Sequence, residues 1–151
     1  MTGFVRAGEL GEEALFEAFH AATLSPDGFD HRQHVRLAWI CLRRRPLTRV
    51  LEGFREGLGR LAAHAGQPGL YHQTITWAYL LLVAERLERA GGEAGWEEFA
   101  AANPDLLARP SELLGRFYRR GTLASELARR AFVFPDAVGC NPSPSGRVPG
   151  G

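Results

Sequence analysis

The chain has 151 residues, 45% of them hydrophobic, which is enough for one domain that buries its own core without disulfides. Its 18 Lys and Arg residues balance 17 Asp and Glu residues, so the charge argues against binding to nucleic acid or to an anionic membrane. Two cysteines are too few for a secreted disulfide framework, and no apolar run is long enough to span a bilayer. We therefore expect a cytoplasmic protein.

Apolar residues recur at helical spacing along most of the chain, whereas strand signals do not recur. Four helices are predicted in its first ninety residues, at positions 12–24, 30–44, 48–65 and 73–89. Turn sequences rich in Pro and Gly separate them, and Asp30 is a suitable N-cap for the second helix. The fourth helix is apolar nearly all round, which predicts a central, buried element.

Weaker helical patterns follow at positions 96–102, 111–119 and 124–132. Residues 135–151 are rich in Pro, Gly and Ser and have little to bury, which predicts a disordered tail after a single helical domain at 1–134. The expected fold is all-α: an up-down four-helix bundle with short additional C-terminal helices.

The histidines are placed at the ends of the predicted helices. His31 and His34 lie in the first turn of the second helix, three residues apart on one face, and His72 lies at the entrance of the fourth. His20 and His64 lie at the ends of the first and third helices. In an up-down bundle these positions share one end, so we expect the imidazoles of His31, His34 and His72 to face a common pocket.

Three imidazoles around one point could hold a divalent transition metal, zinc or iron, with a position left open for water or substrate. His31, His34 and His72 are the predicted ligands, and a helix N-terminus favours the neutral ring that coordinates a metal. Asp30, Tyr71 and Thr74 are the candidate catalytic residues, because they could bind substrate or orient a ligand.

These residues support several functions. One is a small metal-dependent enzyme that acts on a small molecule by hydrolytic, lyase-type or oxidative chemistry. The alternative is a non-catalytic helical module that binds a small molecule or a protein partner through a metal-free, His-lined pocket, with a homodimer through one side of the fourth helix. The histidines could also be purely structural and bind carbonyl groups. A helix-turn-helix DNA-binding protein is disfavoured by the near-neutral charge.

Three segments carry a resemblance. The F-x-H-x-x-H motif that begins at Phe29, the Y-H-x-T-I-T motif that begins at Tyr71, and the segment at 125–133 resemble an uncharacterised family of small α-helical bacterial proteins. The resemblance implies a helical fold and no established activity. Relatives are expected to carry Glu at the position of Gln73, so the carboxamide here argues against a carboxylate ligand or base at that position.

Overall fold

The computed structural model describes residues 3–91 and 94–137, and all of the regular elements in these ranges are helices. Short 3-10 helices lie at Ala7–Glu9 and Pro68–Leu70. The α-helices of the described ranges are α1 (Glu12–His20), α2 (His31–Arg44), α3 (Leu47–His64), α4 (Gln73–Ala90), α5 (Trp96–Ala102), α6 (Pro104–Leu107), α7 (Pro110–Leu114), α8 (Arg120–Leu123) and α9 (Glu126–Arg130). The fold is therefore all-α, as predicted. No helix of these ranges is both long and apolar enough to cross a membrane.

The bounds of α2, α3 and α4 agree with the sequence prediction to within about two residues, the usual uncertainty of helix ends. The Asp30 carboxylate caps α2 by accepting a hydrogen bond from the Gln33 N–H at 3.0 Å. Helix α4 ends at Gly91, whose φ of 82° lies in the left-handed region that glycine adopts without strain. Local capping chemistry thus sets these boundaries.

The first helix is shorter than predicted. It ends at His20 because the chain reverses at Ala22, which has a φ of 62°, and the Thr23 N–H then donates to the Ala18 carbonyl at 3.0 Å. Leu24 is buried and forms an isolated parallel bridge with Val5. Its apolar character therefore reflects burial beside the N-terminal segment and not a continuation of α1.

Helix α4 packs most extensively against α2 and α3, and α1 packs against the same two helices. Close approach of α1 and α3 depends on Gly57, where a Cβ atom would lie 2.2 Å from the Phe19 ring. Leu80 and Val83 of α4 are fully buried, whereas Leu81 is 37% exposed, so α4 is central but retains one exposed side.

The C-terminal helices cover the long ones. Helix α6 packs against α2, and α9 packs against α4. The predicted helix at 111–119 is replaced by α7 and a turn, and α6 lies in a segment for which no helix was predicted. Asp136 and Ala137, which the sequence assigns to the tail, donate backbone hydrogen bonds to the Phe117 carbonyl at 3.0 Å. The rest of that predicted tail, 138–151, lies outside the described residues.

Candidate functional site

A cavity of about 470 Å³ lies among α2, α3 and α4. Its walls are mostly aliphatic and aromatic, and its polar side chains come from the beginnings of α2 and α4 and from the next turns of α4. The lining residues are Pro26, Phe29, His31, His34, Val35, Ala38, Phe54, Leu58, Leu61, Ala62, Ala65, Leu70, Tyr71, His72, Ile75, Thr76, Tyr79, Leu80, Val83 and Pro110. The three histidines predicted to share a pocket therefore all line this one.

The His34 imidazole presents a hydrogen-bond acceptor at the cavity. Its Nδ1 lies 2.9 Å from the Asp30 carbonyl, which can only accept, so Nδ1 carries the proton and Nε2 is left with a lone pair. Burial lowers the pKa of His34 from its usual 6.5, and the nearby charge of His31 lowers it further, against the opposite influence of Asp30. The ring, which packs against Phe29 at 4.1 Å between centroids, is therefore neutral at neutral pH.

His31 is held in the opposite tautomer. Its Nε2 lies 2.8 Å from the Leu106 carbonyl in α6, so Nε2 donates and Nδ1 keeps the lone pair. The ring meets the Tyr79 ring edge-on, with 5.0 Å between centroids. His31 thus joins α2 to the C-terminal helices and also lines the cavity.

His72 has both ring nitrogens engaged. It is the N-cap of α4, where Nδ1 accepts from the Ile75 N–H at 3.1 Å. Its Nε2 donates to the Leu123 carbonyl at the end of α8, at 2.8 Å. The neutral ring has one donor and one acceptor, so these two hydrogen bonds use its whole capacity.

Tyr71 lies at the same entrance. Its hydroxyl donates to the Gln73 Oε1 at 2.6 Å. Burial raises the pKa of Tyr71, against the opposite influence of the nearby Thr76 side chain, so the phenol is protonated at neutral pH. Tyr71 is the candidate catalytic residue that lines the cavity.

The side chains of Thr74 and Asp30 form hydrogen bonds that stabilise the fold. The Thr74 hydroxyl is buried, donates to the Ala131 carbonyl at 2.7 Å and accepts from the Val133 N–H at 3.1 Å. The Asp30 carboxylate caps α2 and its carbonyl orients His34. Neither residue is among those that line the cavity.

A metal ion in this cavity would need unprotonated ring nitrogens as ligands. His31 and His34 each keep one unprotonated nitrogen, whereas His72 would first have to give up a hydrogen bond. Among the residues that the structure describes, no group of three or more His, Cys, Asp or Glu side chains is arranged to hold a metal ion. His20 and His64 do not line the cavity: the first binds the carbonyl of its own helix, and the second packs against Phe4.

Sequence reasoning missed Tyr79 as a residue of the cavity. Within the described residues, three buried polar side-chain atoms lack a hydrogen-bond partner: the indole nitrogens of Trp39 and Trp77 and the hydroxyl of Tyr79. Burial, together with the nearby Asp105 charge, raises the pKa of Tyr79 to about 12. A single tyrosine within the apolar run of α4 was the available signal, because a buried phenol ordinarily needs a partner.

A neutral imidazole in an apolar cavity can accept a hydrogen bond from a bound molecule, or take a proton from it. Both roles require the geometry found for His34, in which one nitrogen is anchored and the other is left with a lone pair.

The chain was compared with models of protein families, with curated proteins and with solved structures, and no match was found.

Proposed function

We propose that this protein binds a small, largely apolar molecule in the cavity among α2, α3 and α4. The observation that carries the proposal is the neutral His34 ring, which is anchored through Nδ1, has no Nε2 partner among the described residues, and lies in the wall of a mostly apolar cavity. Small-molecule sites typically combine apolar walls with a few fixed polar groups, and they enclose roughly 300–1,000 Å³. A cavity of about 470 Å³ is within that range.

The anchoring of the polar groups also supports binding. The rings of His31 and His34 are fixed by backbone carbonyls, so a ligand would meet groups that are already in place. Such preorganisation lowers the entropy cost of association. The proposed function is thus that of a non-catalytic helical binding module with a metal-free, His-lined pocket.

A neutral fluorescent probe tests this proposal. N-phenyl-1-naphthylamine, which brightens in apolar surroundings, should bind at one site per chain. In an Ala62→Phe variant the new ring would fill the cavity, and binding should be lost. The matched control is Ala63→Phe, in which the neighbouring exposed position receives the same ring and binding should persist. Equal binding by the two variants would refute the cavity as the binding site.

The second candidate is a metal-dependent enzyme that acts on a small molecule. What favours it is that His31 and His34 offer two unprotonated nitrogens in one cavity wall and that His72 lines the same cavity. Zinc or iron would supply a Lewis acid or an activated water there. Tyr71 would then be placed to contact substrate, while Asp30 and Thr74 would act by holding the backbone around the site.

Elemental analysis of protein purified without a nickel column separates the two candidates. About one equivalent of zinc or iron per chain, lost in His34→Ala but kept in His64→Ala, would support the enzyme. Metal-free protein that still binds N-phenyl-1-naphthylamine would support the binding module. Circular dichroism should show that both variants remain helical.

The proposal also covers the topology of the helices, the cellular location and the oligomeric state. We propose that α1 to α4 form an up-down four-helix bundle, which would bring the beginnings of α2 and α4 to one end. The protein is proposed to act on its small molecule in the cytoplasm, without nucleic acid or membrane. A homodimer would use the side of α4 that exposes Leu81.

A further inference from the structure

We infer that the ligand of the cavity is an uncharged apolar molecule that carries a hydroxyl or N–H group and donates it to the Nε2 of His34. The inference rests on the proposed function and specifies its ligand class. Some hydrogen-bond donors and acceptors of the lining side chains are already paired within the protein, and the remaining ones are left for a ligand.

The N–H groups of the lining histidines are all used within the protein. In their neutral forms, His31, His34 and His72 each donate their single ring proton to a backbone carbonyl, at 2.8, 2.9 and 2.8 Å. A neutral imidazole has no second proton to offer. What the histidines leave for a ligand is therefore acceptor capacity, at Nε2 of His34 and Nδ1 of His31.

The hydroxyl groups of the lining follow the same pattern. The Tyr71 hydroxyl donates to Gln73 at 2.6 Å. Burial raises the pKa of Tyr71, and the Thr76 side chain lies close enough to lower it in part. The Tyr79 hydroxyl has no partner among the described residues, but its oxygen is closed off from solvent. Of the lining groups in the described residues, the unprotonated imidazole nitrogens of His31 and His34 are therefore open to a ligand, whereas the Tyr71 proton and the donated histidine protons are engaged.

Within the part of the chain that the structure describes, the lining also contains no Arg, Asp or Glu, and the sequence has no Lys. Arg55 lies close enough to influence Tyr71, and Asp30 to influence His34, but neither lines the cavity. A carboxylate or phosphate would lose its hydration without gaining a cationic partner, which is strongly unfavourable. The uncharged lining therefore favours a neutral ligand, and the unprotonated imidazole nitrogens favour a ligand that donates a hydrogen bond.

Three naphthalene derivatives of similar shape test this selection in the unsubstituted protein. 2-Naphthol is neutral and donates a hydrogen bond, 2-methoxynaphthalene is neutral and has no donor, and 2-naphthoate is an anion. Isothermal titration calorimetry at neutral pH should show that 2-naphthol binds about tenfold more tightly than the ether, the value of one net hydrogen bond. 2-Naphthoate should bind most weakly.

Variants then test whether His34 causes the preference for 2-naphthol over 2-methoxynaphthalene. In His34→Leu, 2-naphthol and the ether should bind with similar affinity, because the acceptor is gone while the apolar walls remain. His64→Leu changes a histidine that does not line the cavity and should keep the tenfold preference. The comparison of ligands in unsubstituted protein remains decisive even if His34→Leu does not fold.

Two results would overturn the inference. If the ether binds the unsubstituted protein as tightly as 2-naphthol, or if 2-naphthoate binds most tightly, the ligand class is wrong while small-molecule binding stands. If none of the three binds and N-phenyl-1-naphthylamine does not bind either, the inference and the proposed function fail together.

Discussion

Helices α2 and α4 begin with similar polar sequences at the same cavity, yet their histidines differ in which ring nitrogens already have hydrogen-bond partners. At α2 the N-cap is Asp30, so the following histidines keep unprotonated nitrogens at the cavity. At α4 the N-cap is His72 itself, and both of its nitrogens are used. The identity of the capping residue decides whether a helix-entry histidine is available to a ligand or is part of the fold.

The α4 entrance also binds the end of the described chain. Thr74 hydrogen bonds to Ala131 and Val133, and Arg129 donates to the Gly69 carbonyl at 2.8 Å. The motif that begins at Tyr71 and the segment at 125–133 are therefore in contact in space. These two segments belong to one structural unit, which holds α9 on α4.

The largest expected effect comes from Thr74→Val. The substitution keeps the shape of the fully buried side chain but leaves the Ala131 carbonyl and the Val133 N–H without their hydrogen-bond partner. Urea unfolding should show a loss of about 2–3 kcal/mol in the free energy of unfolding. Thr48→Val, at an exposed position of α3, should change it by less than about 0.5 kcal/mol. Equal effects of the two variants would mean that Thr74 does not hold the C-terminal segment.

The next effect concerns the cap of α4. His72→Leu removes the cap and the bond to Leu123, so it should cost about 1–2 kcal/mol of unfolding free energy. His72→Asn restores a good N-cap residue but is too short to reproduce the ring, so it should recover part of that loss. If Asn recovers nothing, capping is not what His72 contributes.

The smallest effect is the pH dependence of stability due to His34. Because its folded-state pKa lies below 6.5, the unfolded chain takes up the proton first as the pH falls. The contribution of the neutral ring is therefore fully present above about pH 6.5 and is lost as the pH falls toward the folded pKa. His31 and Asp30, which face His34, also influence this titration.

Denaturant unfolding at a series of pH values measures this contribution. His34→Leu should reduce the loss of stability between about pH 7.5 and about pH 5, because the residue that titrates differently in the two states is gone. His64→Leu should retain the loss seen in the unsubstituted protein. An unchanged pH profile in His34→Leu would remove His34 as its source.

Local patterns made the long helices predictable. The apolar spacing of α2, α3 and α4 and the Asp30 cap are properties of neighbouring residues, so they can be seen in the sequence. The same holds for the placement of His31 and His34 on one face of α2. Their convergence with His72 was predicted from an up-down arrangement of the helices, and all three histidines line one cavity.

The remaining features depend on contacts between distant residues. Leu24 fits the helical spacing of α1, but its backbone bridge to Val5 joins residues that are distant in the sequence. Helix α6 was missed because a four-residue helix has almost no periodic pattern. The partners of His31 and His72 are carbonyls 75 and 51 residues away along the chain. Because any residue can supply a carbonyl, no sequence pattern reveals which histidine nitrogen it will occupy.

The protonation of the imidazole nitrogens tests the central claim most directly. Long-range proton–nitrogen correlation NMR, with assignments from His34→Leu and His72→Asn, distinguishes protonated from unprotonated ring nitrogens. At neutral pH we predict that His34 is protonated at Nδ1 and His72 at Nε2, and that 2-naphthol shifts the Nε2 signal of His34 while leaving His72 unchanged. The same tautomer at both residues, or a ligand that shifts only the His72 signals, would contradict the account.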